Sequence, residues 1–196
     1  MDNKAPLLMP NQHEPFNGDV YVMSEFLKLK NIFSIEVAVE TGTCLGGTTK
    51  FLALNFNEVF TIEINKDYQD FAKKFILSDN VNYLLGDSAK KIKKVCKKIK
   101  GKKTIFFLDS HWQNKLPLLD ELQAIADYGL RPIIAIHDFY VPDEKLSFDE
   151  WEGKRLDFNL IKSKLENIYG VGNYNYYYNT LEKSKFPNRG LIYILP

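Results

Sequence analysis

Five short stretches of the chain carry residue types at spacings that could do chemistry. The first is Glu40-Thr41-Gly42-Thr43-Cys44-Leu45-Gly46-Gly47-Thr48-Thr49. Its glycines let the backbone turn tightly and lie against a ligand. A helix starting just after them points unpaired N–H groups into the same space. The stretch lacks the Gly-Lys-Ser/Thr ending of a phosphate-cradling loop. Cys44 also stands where a dinucleotide fingerprint needs the glycine that admits a pyrophosphate, so NAD is disfavoured. The remaining pattern, acid-x-Gly-x-x-x-Gly, suits a nucleoside without a pyrophosphate. The plain alternative is a tight strand-to-helix turn that binds nothing.

The second stretch ends in Glu63, roughly twenty residues beyond Gly42, where an acid can accept from ribose hydroxyls. Its two oxygens can take both hydroxyls of a cis-diol. The third is Gly86-Asp87-Ser88. Asp87 can accept from an adenine amino group or cap the helix that follows. The fourth and fifth are Asp109-Ser110-His111-Trp112 and His137-Asp138-Phe139. If they end neighbouring strands, two carboxylates and two imidazoles converge. Oxygen donors favour Mg²⁺, and imidazoles favour Fe, Zn or Ni. Cys44, at a helix N-terminus, is either a stabilised thiolate or a small residue in a turn.

These stretches fall at the ends of alternating elements. Hydrophobic periodicity predicts helices over 21–32, 46–56, 66–75, 88–99, 117–128 and 159–169, the third capped by Asn65. Strands are expected over 35–39, 59–64, 81–85, 104–108 and 132–136, as apolar runs typical of buried parallel strands. Two further strands, 174–179 and 191–195, form a closing antiparallel hairpin. The expected fold is α/β: a doubly wound, mostly parallel sheet of about seven strands with helices on both faces. In such sheets ligands bind outside the carboxyl ends of the strands, where strand order reverses. Residues 1–18 are expected to be a loose arm and 140–157 a long loop and candidate lid.

Composition narrows the classes. The chain has 196 residues, 45% hydrophobic and 26% charged, with a net charge of +1. That fits one globular domain over 1–196 and excludes a mainly disordered or collagen-like chain. Bulk charge does not call for nucleic acid or an anionic membrane. The lysines between Lys90 and Lys103 form a local basic block, a candidate phosphate track for RNA. The apolar stripe Ala89, Ile92, Val95, Cys96 and Ile99 makes them the solvated face of a packed helix instead. Two cysteines give no disulfide framework. The N-terminus lacks a signal-peptide layout and no run is long enough for a membrane span, so a cytoplasmic setting is expected.

Together these residues resemble the class I S-adenosylmethionine-dependent methyltransferases, a Rossmann-like family. Val39-Glu40-Thr41-Gly42-Thr43 with Gly46-Gly47 resembles the family's first motif, Thr61 to Asn65 its ribose-binding motif, and Leu85-Gly86-Asp87-Ser88 its adenine-side motif. Phe107 to Trp112 and Ile136-His137-Asp138 resemble the small-molecule branch: catechol-type, sugar and macrolide O-methyltransferases. The resemblance implies S-adenosylmethionine as cofactor, held by Glu40, Gly42, Thr43, Gly46, Glu63, Asp87, Ser88 and Asp109. It implies Mg²⁺ or another divalent ion on Asp109 and Asp138, and a small-molecule or sugar hydroxyl as acceptor. Ser110 is an insertion against the catechol-type pattern, and Phe139 replaces an Asn ligand. The lysine base has no clean counterpart, which leaves His111, His137 and Lys115 as candidates. Phe139, Tyr140, Phe148 and Trp151 would wall the acceptor pocket. An RNA methyltransferase, a metal-dependent oxygenase and a catalytically silent cofactor-binding domain are the other classes these residues admit. The oligomeric state stays open.

Overall fold

Seven of the nine strands among the described residues meet in one sheet. The computed structural model describes residues 13–110, 116–184 and 188–196. Five strands run parallel: β1 (Val37–Thr41), β2 (Glu58–Glu63), β3 (Val81–Leu85), β4 (Thr104–Leu108) and β5 (Ile133–Ile136). A small hairpin, β6 (Glu150–Trp151) with β7 (Lys154–Arg155), stands apart from the sheet. The last two strands are β8 (Asn175–Tyr178) and β9 (Ile192–Leu195). Sheet order is β3-β2-β1-β4-β5-β9-β8, with β9 antiparallel to both neighbours. The C-terminal pair is thus the expected hairpin, and its second strand is the one that joins β5. Strand order reverses between β1 and β4, which places the ligand crevice there.

Helices cover both faces. Alternation along β1 sends Val37 and Val39 to one side and Ala38 to the other. The first side packs on α4 (Ser88–Lys98), α5 (Leu118–Asp127) and α6 (Phe158–Tyr169) through Ile92, Leu122 and Ile161. The second packs on α1 (Val20–Phe33) and α2 (Gly47–Asn55) through Phe26 and Leu52. The remaining helix, α3 (Lys66–Phe75), begins at Asn65, whose side chain accepts from Asp67 N and Tyr68 N as the sequence implied. In α4 the stripe Ala89, Ile92, Val95 and Cys96 is buried and Lys90, Lys93, Lys94, Lys97 and Lys98 are exposed. Among the described residues no helix is long and apolar enough to cross a membrane.

Three expectations are corrected. β1 lies two residues further along than 35–39, so Glu40 is inside the strand, opposite Thr61 and Phe107, and not beyond its end. The arm is not loose as far as residue 18: Pro15–Gly18 form a 3-10 turn with Phe16 buried. Phe16 packs its ring 4.7 Å from Phe26, 5.0 Å from Phe107 and 5.4 Å from Phe51, and its N–H donates to Thr48 Oγ1. Residues 1–12 of that arm lie outside the described residues. The 140–157 segment is also more than a loop. It carries β6 and β7 and buries Val141, Leu146 and Leu156.

Phe16 is therefore a core residue supplied by the arm. Phe16→Ala should cost about 3–5 kcal/mol in urea unfolding with an unchanged denaturant slope. A loss under about 1 kcal/mol would mean that the arm does not anchor the second core.

Candidate active site

The turn after β1 and the end of β4 touch through backbone. Gly42 has φ +91°, and a Cβ there would lie 2.4 Å from the Asp109 carbonyl oxygen. Asp109 N donates to Thr41 O, and Gly42 N donates to Ile62 O, so the turn is tied to both neighbouring strands. Gly46, at φ +83°, caps α2 and has no room for a side chain against Ala72 and Ile76 of the α3 segment. Gly42 and Gly46, both singled out in the sequence, thus serve close packing around the crevice.

Glu40 points to the α1/α2 face and is 1% exposed. Thr49 and Thr61 both donate to its Oε2, the latter at 2.6 Å. Thr43 Oγ1 lies 2.5 Å from Thr61 Oγ1 and extends the chain to the turn. Burial, against the pull of the two threonine hydroxyls, pushes the Glu40 carboxyl up to about 8. The structure therefore places Glu40 in a buried threonine ladder, and Thr43 at its outer end. The threonines themselves were not read from the sequence as partners of the acid. Thr61 reaches it through β1–β2 register, and Thr49 through the packing of α2 on the sheet.

Glu63, 6% exposed, turns back over the same turn. Its Oε2 accepts from Cys44 N and its Oε1 from Asn65 N, each at 2.8 Å. A carboxylate offers about four lone-pair positions, so each oxygen keeps a further acceptor site for a diol. Burial, with Glu63 and Asp109 adding, pushes the Cys44 thiol up to about 11, which argues against a thiolate nucleophile there. Asp87 caps α4 by accepting from Ala89 N at 3.1 Å. Ser88 Oγ lies 3.0 Å from Ser110 Oγ, which donates to buried Glu121 at 2.6 Å. The inserted Ser110 thus stitches the start of α4 to α5 at the end of β4.

At the ends of β4 and β5, Asp109, His137 and Asp138 each offer one ligand atom within 4.8 Å of the others. His137 Nδ1 is 3.1 Å from Asp109 Oδ1 and 3.3 Å from Asp138 Oδ1. Burial lowers the His137 imidazole, but Asp109 and Asp138 outweigh it and hold it well above its ordinary value. A charged imidazole donates its Nδ1 proton here, which makes it a poor general base through that nitrogen. Arg189 Nε forms an ion pair with Asp138 Oδ1 at 3.1 Å. Its Nη1 reaches Asp149 Oδ1 at 3.0 Å. Two carboxylates and an imidazole nitrogen are donor types that a divalent ion can take, and here His137 and Arg189 already lie against the same carboxylates. His111 and Lys115 lie outside the described residues.

The aromatic wall divides. Phe139 is fully buried in the first core and stacks on Tyr178, so it does not line a pocket. Tyr140 and Phe148 meet edge to face at 5.0 Å, and Arg155 lies 4.2 Å over the Tyr140 ring. Trp151 sits on β6, half-buried. Arg189 and Asp149 were missed in the sequence. A signal existed: the chain holds three arginines among 26 basic residues. Arg131 donates to Tyr169 O and Asn173 O, and the other two are fixed as described. In a lysine-rich chain each arginine marks a place where a planar fork is needed.

No family model and no curated protein sequence matches the chain. Solved structures do. Precorrin 8w decarboxylase, the product of gene MT0146 of Methanobacterium thermoautotrophicum, superposes with a TM-score of 0.59 at 17% identity, over 96% of this chain and 100% of that one. The O-methyltransferase from Bacillus cereus in complex with SAH gives 0.56 at 16% identity, over 98% and 84%. An rRNA methylase from Streptococcus thermophilus gives 0.52 at 15%, over 97% and 98%. The chain has the class I methyltransferase fold. At these identities the likeness is one of fold. The neighbours include an O-methyltransferase and an rRNA methylase.

The Glu40 carboxyl gives this methyltransferase fold a pH signature. Its folded pKa of about 8 lies above the ordinary value of 4.5. The folded state therefore binds the extra proton between those values, and stability falls as pH rises through them. Glu40→Gln, which keeps an acceptor for Thr49 and Thr61, should flatten the Tm profile across pH 5–8 and exceed wild type at pH 8. Parallel profiles for the two proteins would contradict a neutral buried Glu40.

Proposed function

We propose that the chain transfers a methyl group from S-adenosylmethionine to a hydroxyl of a small molecule or sugar. One observation carries the reading: Glu63 is fixed over the Gly42 turn by two backbone N–H groups, at the strand-order reversal of a class I methyltransferase sheet. Bound there, S-adenosylmethionine would supply an electrophilic methyl on its sulfonium.

The chain's own residues then bind and orient. Glu63 takes the ribose hydroxyls with its remaining lone pairs. The Gly86–Ser88 turn, held by the Asp87 cap, borders the adenine. Asp109, whose side chain is 25% exposed, is more open to the crevice than Asp138 at 13%. It would accept from the acceptor hydroxyl while His137 holds its other side. Tyr140 and Phe148, on the segment that Asp149 N ties to Asp138 O, would offer an apolar wall suited to a small organic acceptor. Most of the rate then comes from holding nucleophile and methyl in line.

Titration calorimetry with S-adenosylmethionine tests this reading. Wild type should bind, and Glu63→Gln should bind about ten- to a hundredfold more weakly while melting as a folded protein. Asp109→Asn should retain cofactor binding and lose transfer in an acceptor screen. Failure of wild type to bind S-adenosylmethionine would leave the fold without this activity.

A further inference from the structure

The side chain of Arg189 occupies a place that its backbone dictates from several directions. Phe139 N donates to Gly190 O, Gly190 N to Ser147 O, and Ser147 N to Asn188 O. Asn179 Nδ2 donates to Arg189 O at 2.8 Å. A Cβ at Gly190 would lie 2.0 Å from Phe139 O, so only glycine lets this segment press against the end of β5. Asp138 is itself held at φ +55°, with its carbonyl accepting from Asp149 N. The guanidinium is thereby set between two carboxylates: Asp138 at the strand end, 3.1 Å away, and Asp149 on the 140–157 segment, 3.0 Å away. Arg189 is 29% exposed on its side chain, which is low for a surface arginine that merely waves in water. Its planar fork can bridge two acids that a lysine's point charge would serve one at a time.

We propose that Arg189 is, beside His137, a resident cation of this centre: it takes the place a divalent ion would hold on Asp138, makes the site independent of metal, and positions the 140–157 segment through Asp149. Arg189 is a positioning residue, since it acts through Asp138 and Asp149. The inference rests on side-chain geometry and on no bound cofactor. It extends the proposed function by specifying how the acceptor side of the crevice is charged.

Mn²⁺ alone, followed by its free-ion electron paramagnetic resonance signal, is the probe. The full-length wild type should leave the signal of Mn²⁺ unchanged up to about 1 mM, the weak end of specific binding. Arg189→Met should gain Mn²⁺ binding at least tenfold tighter than wild type, and adding Asp138→Asn should remove that gain. Limited proteolysis reads the second role. Arg189→Met and Asp149→Asn should both be cut several-fold faster within 140–157, but only the former should gain Mn²⁺. Asp149→Asn keeps the measurement open if Arg189→Met folds poorly, because it removes only the segment's half of the bridge. Wild-type Mn²⁺ binding that Asp138→Asn abolishes would overturn the proposal. So would Mn²⁺ behaviour and cleavage rates that stay at wild-type levels in both variants. None of these readouts involves S-adenosylmethionine, so their failure is distinct from failure of the cofactor reading.

Discussion

The backbone of Gly42 lies so close to the backbone of Asp109 that no other residue fits between the first turn and the end of β4. That approach joins the two halves of the sheet at the edge where strand order reverses. It sets the turn low enough for Cys44 N to reach Glu63 across β2. It also brings Asp109 beside His137 on β5's exit. Widening this contact would separate the Glu63 side of the crevice from the Asp109 side. The fold's many glycines are not equivalent in this respect, since Gly101, Gly129 and Gly153 have nothing within 4 Å of an added Cβ.

Four carboxylates crowd this edge, and the protein handles them by three different physical means. Glu40 is buried without a cation and is met by hydroxyls, which favours its neutral form. Glu63 is met by two backbone N–H groups, which orient it without consuming all its acceptor positions. Asp109 and Asp138 are met by an imidazole and a guanidinium. Like charges kept close would otherwise destabilise the fold. Spreading the compensation over hydroxyl, amide and cation lets the acids remain near one another with distinct roles.

Much of this was legible from residue pattern. The apolar run at 104–108 became β4 at the same bounds, because a buried parallel strand leaves an uninterrupted apolar signature, while β3, at the sheet edge and only half-buried, keeps its expected bounds despite Asn82. The Asn65 cap and the apolar stripe of α4 were local, and local chemistry transfers from sequence. Glu63 ends β2 and Asp109 directly follows β4, so both positions were readable from the strand pattern. The illegible parts depend on contacts between distant segments. Glu40's partners Thr49 and Thr61 are nine and twenty-one positions away; Thr61 meets it through β1–β2 register and Thr49 through the packing of α2 on the sheet. Phe16 looked like part of an unpatterned arm because one aromatic carries no periodicity. Arg189 lies in the join between β8 and β9, and only the order of those strands brings it to Asp138.

The central claim is that one crevice, between the ends of β2, β1 and β4, receives S-adenosylmethionine. Amide hydrogen exchange on the full chain, with and without saturating S-adenosylmethionine, tests it most directly. The account predicts slowed exchange in peptides covering 41–47, 63–65 and 86–89, with the outer face of α6 unchanged. Protection that falls elsewhere, or an exchange map that S-adenosylmethionine leaves untouched, would contradict it.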